Sequence, residues 1–373
     1  MLVTSHSKRS VLLCVNSDFG VPNTIGFRTT PIAQLLEEKQ ELAKVICRDY
    51  APGILAPEHV KRPIPLGNLV PKLLSACDMI FPGAIPGVRL KRNLFMHFAK
   101  SYVARHAENA SLIHFWDYSK ELAQQAKDAG LLVVQDVAIG MPREACPHEK
   151  EALIGAASVA DAIIVPSPYV KQTLQDLGLD TSKVHIVPFG VDATRFTPQQ
   201  KKAKTFTVAF VGNINLRKGI DCLVQAWKEL ALPHAKLMLY GRVYPEVNEY
   251  LKDAKKHNIV VCGFVDPAKK LPLADVFAFP STNEGSAKAV YEALACGLPV
   301  ITTFNAGSVI TEGKEGFIIP TKNVAKLKEK LLLLYRDAKL RKKMGLQARK
   351  TAETYSWQRY ATSVRDVYAS LEK

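Results

Sequence analysis

Two carboxylates, Glu284 and Glu292, stand with seven residues between them in the stretch NEGSAKAVYEALACGLPV at Asn283–Val300. Glu284 is followed by Gly285 and Ser286 in a loop that reads STNEGS. The pattern beyond it predicts a helix over about 287–296, closed by Gly297 as a left-handed cap and stopped by Pro299. The start of such a helix exposes unpaired N–H groups and carries roughly half a positive charge. The apolar run before it ends at Pro280 and reads as a buried strand. The helix mouth therefore falls at the carboxyl end of a parallel strand, a natural place for a phosphate, and Gly285 has no side chain to block close approach. Glu292 lies roughly 9 Å further along the axis at 1.5 Å per residue. Carboxylates repel phosphate and accept hydrogen bonds from hydroxyls. A ligand with sugar, diphosphate and ribose in a row would satisfy both acids and the amides between them. The ordinary alternative is a solvated loop acid and an exposed helix acid. The apolar Ala289, Val290, Ala293, Leu294 and Leu298 around Glu292 weigh against it.

The elements that would position these groups alternate along the whole chain. Strands are predicted at 10–15, 44–47, 111–115, 131–135 and 162–165, with helices around 28–39, 118–129 and 147–158, which is the pattern of a parallel sheet covered on both faces. The alternation breaks over 184–200, in a polar stretch bearing Pro and Lys. It restarts with strands at 206–211, 236–240, 259–262, 275–279 and 299–302. The C-terminus reads as helical from about 322, and Ser356 is an N-cap candidate for a last amphipathic helix. This organisation gives a unit over 1–195, a second over 196–355 and a final helix over 356–373. A length of 373 residues, with 47% hydrophobic and 23% charged residues, suits two globular domains.

The opening MLVTSHSKRSVLLCVNS places basic residues before an apolar run. Val11 to Val15 is too short for a secretory signal, so a buried first strand is expected there. No apolar stretch approaches the ~20 residues that cross a bilayer. The seven cysteines, Cys14, Cys47, Cys77, Cys146, Cys222, Cys262 and Cys296, are scattered and never form Cys-x-x-Cys. They point to a reducing compartment and to small buried hydrophobes rather than disulfides or a zinc site. A net charge of +15 implies anionic company. Nucleic acid ranks last because no nucleic-acid module is present. From Met79 to Ala107 there is no Asp or Glu, while Arg89, Lys91, Arg92, Lys100 and Arg105 accompany Leu94, Phe95, Phe98 and Tyr102 at helical spacing. Such a helix can rest on anionic lipid. A core-facing helix with a solvated basic side is the slightly favoured reading, and KLRKKMGLQARK near 339–350 reads as a solvated helix.

The signature stretch resembles the retaining nucleotide-sugar glycosyltransferases of family four (glycosyltransferase group 1). That family carries a Glu-x₇-Glu motif running into EAxAxGxPVI. Here EGSAKAVYE leads into EALACGLPVIT and then NAGSVITEGKEGFIIP, and the similarity extends back through VHIVPFGVDATRF and FVGNINLRKGIDCLVQAW. It is dense in the C-terminal half and loose in the N-terminal half. The resemblance implies an α/β GT-B fold: two facing Rossmann-like, doubly wound parallel-sheet domains with an inter-domain cleft. The N-terminal domain would receive the acceptor and the C-terminal domain the nucleotide sugar, with the last helix crossing back to the first domain. It also implies transfer of a hexose with retention to a glycan or lipid-linked acceptor, as in polysaccharide biosynthesis. No metal or cofactor would be needed. The expected location is cytoplasmic, with a peripheral place at the inner face of a membrane as a further expectation.

The resemblance assigns roles residue by residue. Glu284 would contact donor-sugar hydroxyls, Glu292 the ribose, and the amides of Gly285 and Ser286 the donor. The family's phosphate grip, VGRxxxxKG, appears here as VGNINLRKG. Lys218 matches the Lys, Gly212 the Gly, and Asn213 stands where the Arg is expected, with Arg217 as a candidate replacement. Gly20 and Gly26, in NSDFGVPNTIGFRTTP, mark a loop that approaches the donor phosphates or the acceptor in such enzymes. A catalytic His is expected after the strand at 131–135, yet VVQDVAIGMPREACPHEKEA has none at that place. His114 and Asp136, each at the end of a strand on the same sheet edge, are candidates for binding donor or acceptor hydroxyls; for His114 a satisfied core histidine is an equal alternative. A missing base matters little if the leaving phosphate takes the acceptor proton in front-face attack, with the protein supplying position and charge. Three other classes remain: a nucleotide-sugar epimerase on the same scaffold, a non-catalytic nucleotide-sugar binding protein, and a dinucleotide-dependent oxidoreductase. The last predicts Gly-x-Gly-x-x-Gly after a strand, which neither FVGNIN nor VNSDFG supplies.

Overall fold

The computed structural model describes residues 9–19, 26–51, 53–62, 87–142, 144–200, 203 and 205–372. Gly20 and Cys77 lie outside them. The apolar runs form two all-parallel sheets. The first holds β1 (Val11–Phe19), β2 (Leu42–Tyr50), β3 (Val60–Lys61), β4 (Leu112–Phe115), β5 (Leu132–Asp136), β6 (Ala162–Val165) and β7 (Val184–Ile186), in the order β3-β2-β1-β4-β5-β6-β7. The second holds β8 (Phe206–Val211), β9 (Ala235–Tyr240), β10 (Ile259–Val261), β11 (Val276–Phe279), β12 (Val300–Thr303) and β13 (Gly316–Ile319), in the order β10-β9-β8-β11-β12-β13. β4, β6, β11 and β12 are buried at every position. That is why they read as short, largely apolar runs rather than as alternating ones. Both sheets reverse strand order beside their first strand, and loops at the carboxyl ends there are where open α/β sheets bind ligands.

Every strand expected from the sequence is present, and three more were not foreseen. β3 and β7 are short edge strands of two and three residues, and β13 hides in GFII, whose flanks read as loop. Of the basic window, residues 79–86 lie outside the described residues and the rest forms the helix Gly87–His106. Its core face is Phe95, Met96, Ala99 and Val103, while Leu94 is exposed. Those four residues turn to the interior. No helix among the described residues is long and apolar enough to cross a membrane. Cys14, Cys47, Cys222 and Cys296 are buried free thiols, Cys262 is half-buried and Cys146 is exposed.

The last helix, Trp357–Leu371, starts where Ser356 accepts a hydrogen bond from the Arg359 amide. It packs against the first sheet's opening helix, Gly26–Glu38, with the Trp357 and Phe27 rings edge to face at 5.6 Å. Arg365 makes two hydrogen bonds to Glu41, at 2.7 and 2.6 Å, and Arg9 reaches Glu372 at 2.7 Å. The chain therefore leaves the second sheet and ends on the first.

Candidate donor-binding cleft

β11 delivers the chain to Pro280, and the loop 281–286 leads into the helix Lys288–Ala295. β8 delivers it to Gly212, and the loop beyond ends in a single 3₁₀ turn, Leu216–Lys218. Asn215 caps that turn by accepting from the Lys218 amide at 3.1 Å. Gly219 follows at φ +71°, and a Cβ there would stand 2.1 Å from the Pro280 carbonyl oxygen. Only glycine fits that left-handed crossing, so Lys218 is fixed beside the β11 loop. The two loops are laced together: the Arg217 carbonyl accepts from the Thr282 amide at 2.8 Å and from the Ser281 hydroxyl at 2.9 Å.

These constraints bring three sequence candidates to one oxygen. Glu284 Oε1 meets Lys218 Nζ at 2.5 Å, Arg217 Nη1 at 2.6 Å and the Ser281 hydroxyl at 3.1 Å. Lys218 also lies 5.0 Å from the Phe279 ring centroid. Burial pulls the Lys218 ammonium below its ordinary value, and the Glu284 carboxylate opposes that pull. Arg217 donates in addition to the Asn283 carbonyl at 2.7 Å, so its guanidinium braces the loop. Glu292 is buried within its helix and pairs with Lys288 at 3.3 Å. Burial raises its carboxyl above the ordinary 4.5, and Lys288 partly offsets the rise.

A cleft of about 990 Å³ opens between the sheets. Gly212, Asn213, Lys218, Glu284, Ser286 and Glu292 line it, facing Phe27, Thr30 and Pro31 from the first sheet's opening helix. Arg217, Gly285, His114 and Asp136 do not line this cleft. Among the described residues, no protein acceptor meets the amides of Gly285 and Ser286, so both are free to donate. The expectation that Gly285 leaves room for a ligand is corrected by what stands there. A Cβ at Gly285 would lie 1.5 Å from the Ala138 carbonyl oxygen in the loop after β5. The Ser167 hydroxyl donates to the Gly285 carbonyl at 2.5 Å, and the Gly140 amide to the Glu284 carbonyl at 3.3 Å. The glycine therefore lets the two halves of the molecule meet. Ser286 turns its hydroxyl to the Tyr291 hydroxyl and the Gly307 carbonyl, both at 2.8 Å.

His114 and Asp136 occupy a different place. Asp136 pairs with Arg28 at 2.6 Å, with side chains 2% and 4% exposed. His114 is fully buried, stacked on Trp116 at 3.9 Å, and its Nδ1 lies 2.6 Å from the Tyr368 hydroxyl of the last helix. Burial, with Arg28 adding to it, holds the imidazole well below its ordinary range, so it is neutral. Burial also pushes the Asp136 carboxyl up, against the pull of Arg28. The sequence placed both residues on one sheet edge correctly, at a separation of 3.9 Å. It did not foresee that the last helix and Arg28 close over them.

The reading from sequence passed over Arg195, Asp266, Phe264, Tyr240 and Lys288, which all line the cleft. Lys288 and Arg195 stood inside stretches quoted for their motifs, and their charge alone was the available signal. Phe264 is 81% exposed, and only the topology shows that its loop, after β10, opens into the cleft.

Two facing parallel-sheet domains with this cleft define the GT-B class of folds. HepE of Anabaena, in a crystal structure with UDP and glucose, superposes with a TM-score of 0.71 at 16% identity, over 97% of this chain and 100% of that one. The family model described as glycosyl transferases group 1 matches residues 205–337. Spore coat protein SA of Bacillus subtilis is 30% identical over 288 residues, which are 66% of this chain and 74% of that protein. An uncharacterized glycosyltransferase of Methanocaldococcus jannaschii is 29% identical over 167 residues, 43% of this chain and 47% of that one. The matched segment spans less than two thirds of several other curated relatives, among them the D-inositol 3-phosphate glycosyltransferase of Xylanimonas cellulosilytica at 62%. The chain belongs to the glycosyl transferases group 1 family.

Proposed function

We propose that the protein is a retaining glycosyltransferase that moves a hexose from a nucleotide sugar to a glycan or lipid-linked acceptor without a metal ion. The observation that carries this reading is the Lys218–Glu284 contact of 2.5 Å in the wall of the inter-sheet cleft. In this reading Lys218 stabilises the leaving diphosphate, aided by the unpartnered amide of Ser286, which lines the cleft. Glu284 accepts from donor-sugar hydroxyls and Glu292 from the ribose. Arg217 positions Glu284 and does not reach the diphosphate. The bond from the anomeric carbon to the donor phosphate oxygen breaks, the acceptor oxygen bonds to that carbon on the same face, and the leaving phosphate takes the acceptor proton. Residues 1–195 form the acceptor unit, 196–355 the nucleotide-sugar unit and 356–373 the helix that joins them. Closure of the cleft would exclude water from the reacting centre. That UDP and glucose occupy HepE supports a nucleotide-sugar donor here.

A thermal-shift screen of nucleotide sugars identifies the donor. Incubation with that donor, an acceptor panel and EDTA, followed by NMR of the product, then reads the anomeric configuration. A product with the donor's configuration, formed in EDTA, is expected. An inverted product, dependence on a divalent metal, epimerised donor or binding without turnover would each contradict the reading.

A further inference from the structure

Among the described residues three cations line the cleft, Arg195, Lys218 and Lys288, and three acids, Asp266, Glu284 and Glu292. They stand in pairs: Lys218 with Glu284 at 2.5 Å, Lys288 with Glu292 at 3.3 Å and Arg195 with Asp266 at 2.9 Å. Each cation of the lining is thus matched by an acid of the same lining. A ligand that carries a diphosphate between two sets of hydroxyls matches neither member of a pair alone. Its hydroxyls suit the acids and its phosphates suit the cations, so binding exchanges partners.

A diphosphate needs more than one positive charge, and the loop after β8 offers the cleft only Lys218. The side chain at 213 is a neutral Asn. Arg217 lies outside the lining, with one nitrogen committed to both Asn283 and Glu284. Arg195 is held by Asp266, which also caps the turn Pro267–Lys270, and the reading above gives the sugar to Glu284 and the ribose to Glu292, which leaves no hydroxyl set to take Asp266 from Arg195. Lys288 differs on each count. It is the first residue of the helix at the cleft mouth, its side chain is 44% exposed, and its ammonium stands 5.6 Å from the Phe27 ring on the opposite wall. Its partner, Glu292, is the acid assigned to the ribose, so the ligand that needs a second cation is the one that releases it.

We propose that Lys288 is the second diphosphate-binding cation of this site, set free from Glu292 when ribose hydroxyls take over that carboxylate. The proposal rests on the donor-site reading above and adds a residue to it.

The test is calorimetric titration of the full chain with UDP, GDP and ADP, with inorganic pyrophosphate and the matching nucleoside as competitors against the tightest binder. Lys288→Met is expected to weaken the nucleoside diphosphate and pyrophosphate at least tenfold, and to leave the nucleoside unchanged or slightly tighter. Lys288→Arg should restore most of the loss. A purely structural role for Lys288 would weaken the nucleoside as well, and that result overturns the proposal. So does a Lys288→Met protein that binds the diphosphate like wild type while Lys218→Met loses it, an outcome that spares the donor site itself. A wild-type protein that binds none of the three diphosphates overturns both.

Discussion

Two ion pairs sit at the carboxyl ends of the two sheets, and they do different things. Lys218 and Glu284 meet at 2.5 Å, each 12% exposed, in the wall of an open cleft. Arg28 and Asp136 meet at 2.6 Å, are 4% and 2% exposed, and line no part of that cleft. The chemistry of the two contacts is nearly the same; their covers differ. The first faces space that a ligand can enter. The second is closed by His114 and Trp116 from its own sheet edge and by Tyr368 from the last helix, which returns to the first sheet at the end of the chain. A charge pair at a strand end becomes a binding site or a structural tie according to what later sequence lays over it.

The comparison can be broken by stability measurements. The largest effect is expected at Asp136. Asp136→Ala strands the buried Arg28 charge and should cost about 3–5 kcal/mol, while Arg28→Met with Asp136→Leu should recover much of it. Glu284→Ala should cost less, about 1–2 kcal/mol, because Arg217 is 39% exposed and the Lys218 ammonium, though only 12% exposed, lines an open cleft that water can enter. Urea denaturation of the four proteins measures this. Equal losses for Asp136→Ala and Glu284→Ala would erase the distinction drawn here.

A smaller effect sharpens the account of the sealed network. The His114 pKa is held below its unfolded value of 6.5. The unfolded chain therefore binds a proton that the native protein refuses. The stability that neutral His114 permits is fully present above pH 6.5 and is lost as pH falls from there towards the folded pKa, at up to about 1.4 kcal/mol per pH unit. Replacing His114 with Gln should remove that component, read as the difference in slope between the two proteins over pH 5–7. Identical slopes would mean that the imidazole is not sealed.

Much of this was legible in the sequence, and the illegible part has a common cause. Short, largely apolar runs revealed ten strands because buried parallel strands leave little alternation to misread. β3, β7 and β13 were missed because short edge strands, and strands bordered by glycine and charge, lack such a run. Glu284, Lys218 and Glu292 were legible because loops and a helix at the ends of those strands hold them at motif spacing. The role of Gly285 was not, since the Ala138 carbonyl that demands a glycine comes from the other half of the chain. His114 and Asp136 were placed on the right edge, but their cover arrives more than two hundred residues later. Lys288 carried no motif and became visible only when the cleft's charges were seen in pairs.

The most direct test of the contrast between the two pairs is a single-turnover transfer rate, measured with the donor found in the thermal-shift screen. It compares Lys218→Ala, Glu284→Ala and Asp136→Asn at a temperature where circular dichroism shows all three folded. The first two are expected to lose at least about a thousandfold, of the order seen when a preorganised charge-stabilising group is removed, while Asp136→Asn stays within a few-fold of wild type. Near-normal turnover in either cleft variant, or a thousandfold loss confined to Asp136→Asn, would mean that the open pair is not the catalytic one.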